Sequence, residues 1–347
     1  MKRLLFSTFL ASFLAAWGFA QADLQPAAIV NLIRTEPITV RQLRTEVERM
    51  ERSARRTLTE QERREVLDVM INEKLAIQAA ERDRITISEN EVNQQVNQLR
   101  AQMVQAIGRQ PTDAEFAMAI RNETGLEVSA FREQLRRQLT VQKYLMSQKQ
   151  STIESVRPPT DDEISSMYNL SRSEFVRPET VRFSMIQVPF GADATTKTRA
   201  RELADRLSRE IGNNASKFDE VALRGQAANA GFQAGDGGYL PRNMEAAQIV
   251  GQEFITAAFA LAQGEVSRVI EGQLGYQIIK VTEKYAMRSL ELDDIFQLGT
   301  RVTVREYIRN TLMQQRQMAV LAQASQELVA ELRAGRTFQV FDRNLNW

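Results

Sequence analysis

Phe254-Ile255-Thr256-Ala257-Ala258-Phe259-Ala260-Leu261-Ala262-Gln263-Gly264-Glu265-Val266-Ser267, followed by Gly275-Tyr276-Gln277-Ile278-Ile279-Lys280-Val281, is the stretch on which the fold turns. Upstream of it, Val181 to Val188 (VRFSMIQV) reads as a strand and Ala194 to Ile211 as a helix. Between that helix and the quoted stretch lies a Gly-rich run, Ala230 to Pro241. A phosphate-cradling loop would need Gly-x-x-x-x-Gly-Lys, or a Gly-x-Gly-x-x-Gly fingerprint opening a helix behind a strand. Neither is present, so Gly237-Gly238 reads as a tight bend between elements.

Working outward, the N-terminal half is written as helices. Ala28 to Arg34 reads as a short strand broken at Glu36-Pro37. Five pairs then repeat one device: Thr39 with Gln42, Thr59 with Glu62, Ser88 with Glu91, Thr112 with Glu115 and Thr160 with Glu163. In each, the hydroxyl can take the amide three residues on while the Glu or Gln reaches back. The signals predict helices over 40–56, 60–82, 89–107, 113–122, 128–150 and 160–171. Leu67, Met70, Ile71 and Leu75 fall at helical spacing on one face. The Arg-rich run from Arg41 to Arg64 is interrupted by Glu46, Glu48, Glu51, Glu60 and Glu62, which reads as a solvated helix face. Pro158-Pro159 and Arg177-Pro178 mark connections that no helix continues through.

Downstream, a long helix is predicted from near Thr303. Val304, Ile308, Leu312, Ala319, Ala322, Leu328 and Leu332 lie on one stripe, and Gly335 reads as its C-cap. About 30 residues would make a rod of roughly 45 Å, which needs a partner. Phe338 to Phe341 reads as a strand. Intramolecular return to the strand near Ile29 would cover two exposed edges. An intermolecular coiled coil is the rival, but the stripe lacks a sustained heptad.

Composition narrows the chemistry. The 347 residues contain no Cys and no His. That excludes disulfides, thiolate zinc sites, a Ser-His-Asp triad and any imidazole titrating near neutrality. The 45 basic and 44 acidic side chains leave no basic excess of the kind phosphate contacts produce, so nucleic acid is not an expected partner. Lys2 and Arg3, the apolar run Leu4 to Ala16 and Ala20-Gln21-Ala22 read as a signal peptide cleaved after Ala22. Gln21 and Asp23 close the run before the roughly 20 apolar residues a membrane span requires. Removal of Lys2 and Arg3 takes the formal charge from +1 to −1.

With the series strand, helix, GG-x-L, F-x-x-A-x-F-x-L-x-x-G-E-V-S and G-Y-x-I-I-K-V in order, residues 180–284 resemble a parvulin-type peptidyl-prolyl isomerase domain. The flanking segments resemble the SurA and PrsA family of exported foldases. The resemblance implies an α+β chain: a signal peptide at 1–22, a helical chaperone domain at 23–172, a parvulin-like α/β domain at 173–284, and a helix and strand at 285–347 returning to the N-terminal domain. One parvulin unit is visible where SurA-type proteins have two, and there is no lipid-bearing Cys as in PrsA lipoproteins. The family's two His positions hold Met185 and Gln277, and Asn229-Ala230-Gly231 offers no ionisable group where a Cys or Asp is usual. Met185, Leu240, Val250, Phe254 and Gln277 are the candidates for lining a proline pocket, with no confident catalytic residue, no metal and no cofactor. The implied role is a periplasmic holdase for unfolded or proline-containing polypeptides, outer-membrane precursors among them, with weak or lost isomerase activity. An active isomerase is the alternative. The mature chain is expected to be a monomer or weak dimer without stable membrane insertion. Met50, Met70, Met103, Met118 and Met146 lie on predicted helices and are read as core rather than as adaptable client contacts.

Overall fold

A computed structural model of the chain describes residues 24–191, 194–225, 227 and 230–345. The signal-peptide expectation lies outside the described residues. Among these, no helix is long and apolar enough to cross a membrane. The described residues divide into two compact units, one from the chain up to Val156 together with the segment from Arg316 onward, the other from Arg157 to Gln315.

In the first unit, β1 (Pro26–Asn31) and β2 (Thr35–Thr39) lead into α1 (Val40–Ala54), α2 (Glu60–Arg82), α3 (Glu89–Ile107), α4 (Asp113–Thr124), α5 (Val128–Gln148) and α6 (Gln150–Glu154). All five predicted capping boxes close: Thr39, Thr59, Ser88, Thr112 and Thr160 each accept from the amide three residues on, and the Gln or Glu there returns the bond. A sixth, Thr303 with Glu306, opens the long helix and carries the same spacing. Glu36-Pro37, read as a break, lies within β2. Proline is tolerated there because β2 is an edge strand with one unpaired side.

Two of these caps are clamped further. Arg56 donates to Glu62 at 2.8 Å and Arg109 to Glu115 at 2.9 Å, each Arg standing three residues ahead of the capping Thr. Lys143 similarly reaches Glu91 at 2.9 Å. The charged donors, Arg56, Lys143 and Arg109, followed by the cap amides, lower Glu62, Glu91 and Glu115 to about 2. Since these folded values lie below the unfolded one, their contribution is complete above the ordinary Glu range and is lost as pH falls toward 2. The thermal midpoint of the helical unit is therefore expected to stay level from pH 8 to 5 and fall between pH 5 and 2. The triple variant Glu62→Gln, Glu91→Gln, Glu115→Gln should show a shallower acid limb by circular dichroism. An identical limb would show that the clamps are energetically silent.

The long helix, α12 (Val304–Ala334), contributes to both units, and β9 (Phe338–Val340) follows it. β9 pairs antiparallel with β1, Ala28 opposite Val340 and Val30 opposite Phe338, giving the order β2-β1-β9. Leu332, Phe338 and Val340 pack against Ala28, Val30, Leu67 and Ile71. Arg333 is tied to Asp68 at 2.5 Å and to Asn72 at 2.7 Å. The expected continuous stripe is split: Val304 and Ile308 are buried in one unit, Ala324 and Leu328 in the other, while Ala319 and Ala322 are exposed. The left-handed residue at its end is Arg336 (φ 49°), not Gly335.

The second unit contains α7 (Asp161–Leu170), β3 (Val176–Arg177), β4 (Thr180–Pro189), α8 (Ala194–Ile211), α9 (Ala215–Arg224), β5 (Gln233–Pro241), α10 (Met244–Val250), α11 (Gln252–Ala260), β6 (Ile270–Glu271), β7 (Gly275–Tyr285) and β8 (Arg288–Ser289). Its main sheet has the order β5-β4-β7-β6, antiparallel throughout. Because side chains alternate between faces, Ile186, Val188, Tyr276 and Ile278 bury against α8 and α9. Val181, Phe183, Ile279 and Val281 bury on the opposite face against α10 and α11. The Gly-rich run read as a loop is β5. Gly237 is the extra residue of a bulge, since Phe183 pairs with Gly238 but Ser184 with Asp236. A Cβ on Gly237 would come 2.2 Å from the Phe183 ring, so the missing side chain makes the close approach of β5 to β4 possible.

Candidate functional site

The face carrying α10 and α11 holds the five residues singled out from sequence. Leu240 and Phe254 are 6% and 2% exposed, and Met185 and Val250 pack against their cluster while remaining half-buried. Phe254 meets Phe183 edge-on, ring centroids 5.3 Å apart. Leu240 and Phe254 thus belong to the core beneath the surface, and Met185 and Val250 are the ones a ligand could touch. Gln277 stands outside that cluster but on the same sheet face: Met185 pairs with Ile279, and the next pair on that face is Gln187 with Gln277. Diagonal neighbours of this kind lie about 7–8 Å apart.

Three features absent from the sequence candidates complete the surface. Gln187 follows Met185 by two residues, so period-two alternation places it on the same face. Gly235 pairs with Met185 from the other side, and a Cβ built on it meets nothing within 4 Å, so the space beside Met185 on β5 is open. Ser267, from the Gly-Glu-Val-Ser segment, is buried and fixes β7. Its Oγ accepts the Ile279 amide at 2.9 Å, and its own amide donates to the Ile279 carbonyl at 2.8 Å.

Met185, Gln187, Leu240, Val250, Phe254 and Gln277 include no ionisable side chain, so these six supply no general acid or base. The charged network of this sheet is elsewhere: Arg182 donates to Asp236 at 2.7 Å and Glu283 at 2.9 Å, tying β4 to β5 and β7. Hydrogen bonding to Glu283, with burial, pushes the Tyr285 hydroxyl up to about 12. Among the described residues no group of three or more acidic side chains gathers in a way that could hold a metal ion.

One unit is a four-stranded antiparallel sheet with helices on both faces and the other a helical unit in which β9 pairs with β1, so the chain is a two-part α+β protein whose candidate site is an apolar sheet face. The family described as a SurA-like N-terminal domain matches residues 1–145, and that described as a PPIC-type peptidyl-prolyl isomerase domain matches residues 159–295. The chain thus joins a SurA-like N-terminal domain to a PPIC-type isomerase domain, and in this make-up it is similar to SurA- and PrsA-type chaperones and foldases. Foldase protein PrsA of Clostridium botulinum (strain Loch Maree / Type A3) is 23% identical over 286 residues, covering 82% of this chain and 75% of that protein. Chaperone SurA of Idiomarina loihiensis is 23% identical over 234 residues, covering 67% of this chain and 50% of that protein, so the chain spans about half of this SurA relative. A solved structure from work describing the virulence factor PEB4 and the periplasmic protein Cj1289 of Campylobacter jejuni as two SurA-like chaperones is 14% identical with a TM-score of 0.39, covering 91% of this chain and all of that one.

Proposed function

We propose that this chain is an exported holdase that shields unfolded polypeptides, outer-membrane precursors among them, and whose isomerase-type domain binds proline-containing segments with weak or no turnover. The observation that carries this reading is the pairing of an apolar face with Met185 and Gln277 at the positions where the resembled isomerases have His. Rotation about a prolyl bond crosses a barrier of roughly 18–20 kcal/mol and requires only that the twisted amide be bound better than the planar one. A face without directed charge can hold a proline ring yet has little with which to favour the twisted state. The N-terminal signal-like segment supports action in the periplasm.

The test uses the full mature chain in two assays. Aggregation of an unfolded β-barrel precursor should be suppressed at near-stoichiometric ratios, while a protease-free prolyl isomerase assay should give rates close to the uncatalysed tens to hundreds of seconds. Turnover matching His-containing parvulins would favour the second reading, an active isomerase, which the half-buried apolar pair Met185 and Val250 supports. Failure to suppress aggregation would remove the holdase.

A further inference from the structure

Resting on the reading of this face as a peptide site, we infer that Gln277 is the residue that hydrogen-bonds the main chain of a bound, extended, proline-containing segment, its Oε1 accepting an N–H from a residue flanking the proline. Oε1 of Gln277 is buried and has no hydrogen-bond partner. A carbonyl oxygen left this way costs free energy in the unbound protein. An apolar residue of the same length would avoid that cost, and the Gln277 side chain as a whole is partly exposed, so a rotation of its carboxamide would present the enclosed oxygen to a donor.

The surroundings fit a peptide. Gly272 closes over one side of the carboxamide: a Cβ there would lie 2.8 Å from Oε1 and 3.1 Å from Nε2. The Gly272 amide donates back to the Gly275 carbonyl at 2.9 Å, which holds that turn in place. On the other side the surface runs across half-buried Met185 to the bare backbone of Gly235, with nothing in the way of a group placed there. Gln187 lies directly opposite Gln277 on the neighbouring strand and extends the uncharged polar strip. Proline has no N–H of its own. An unpaired acceptor beside an apolar floor therefore suits a segment in which the ring rests on Met185 while an adjacent residue supplies the donor.

The experiment is a coupling cycle on the full mature chain, using Gln277→Met, which keeps the length and removes the acceptor. The probe is an unstructured fluorescent peptide with one central proline, together with versions N-methylated at the residue before or after it. The unmethylated peptide should bind Gln277→Met about fivefold to tenfold more weakly than wild type, as loss of one hydrogen bond implies. One of the two methylations should weaken binding to wild type by a similar factor and have no further effect on the variant. The unliganded variant should unfold at the same or higher urea concentration than wild type, the reverse of what a structural hydrogen bond would give. Binding that is unaffected by the substitution, methylation effects that add independently, or a less stable unliganded variant would each overturn the inference while leaving the peptide site standing. A wild-type chain that does not bind the unmethylated peptide would overturn both.

Discussion

Phe254→Ala is expected to destabilise the sheet-bearing unit by about 3–5 kcal/mol, the range for removing a large aromatic side chain from a packed interior. The side chain is 2% exposed and meets Phe183 edge-on at 5.3 Å. Its loss leaves a void in a cluster that also holds Val181, Phe183, Ile279, Ala246 and Ala258, from two strands and two helices. Hydrogen exchange at Ile279 reports on this unit, because its amide is held by the buried Ser267 hydroxyl. Protection there should collapse in the Ala variant and survive in Phe254→Leu, which retains much of the volume. A cost below about 1 kcal/mol would mean that the ring borders open solvent as a pocket wall and does not support the sheet. Peptide binding should fall with stability, since Met185 packs on the same cluster.

The second large effect is expected at Gln78, a polar side chain with no exposure on α2. Its Oε1 accepts the Leu32 and Ile33 amides at 3.0 and 3.1 Å, with the Arg34 amide at 3.5 Å. Three successive N–H groups of the β1–β2 turn thus converge on one oxygen, which pins the hairpin to the helix. Gln78→Ala removes that acceptor and opens a void, and should cost about 2–4 kcal/mol. The figure is kept below a full sum of three lost bonds because Ile33 and Arg34 lie at the surface, where water can replace the acceptor. Gln78→Met should cost less because it preserves the shape and removes the Nε2 group that is buried without a partner. Faster exchange at Leu32 in both variants would separate the hydrogen-bond loss from the cavity. Unchanged exchange would show that the turn holds itself.

The two sites illustrate opposite kinds of legibility. Gln78 sits on a helix whose start, at the Thr59–Glu62 box, is plain in sequence, yet nothing local marks it as the anchor of a turn more than forty residues earlier. Phe254 was marked as a pocket candidate by its place in an ordered series, and the packing puts it in the core. Gly235 and Gly237 looked like loop residues because glycine weakens a strand. They are a strand because β4 supplies the partner and because the Phe183 ring needs the room at Gly237.

The sequence by itself determined the helix starts, the absence of imidazole and thiol chemistry, and the apolar residues of the candidate face, since capping, composition and alternation depend on residues within a few positions of one another. Only the tertiary structure decided that the Gly-rich run becomes an edge strand, and that Gln277 holds an unpaired oxygen on the sheet face of Met185. Those outcomes depend on cross-strand register and on which distant groups share an enclosed space, where the absence of water makes each unpaired polar atom and each missing side chain energetically significant.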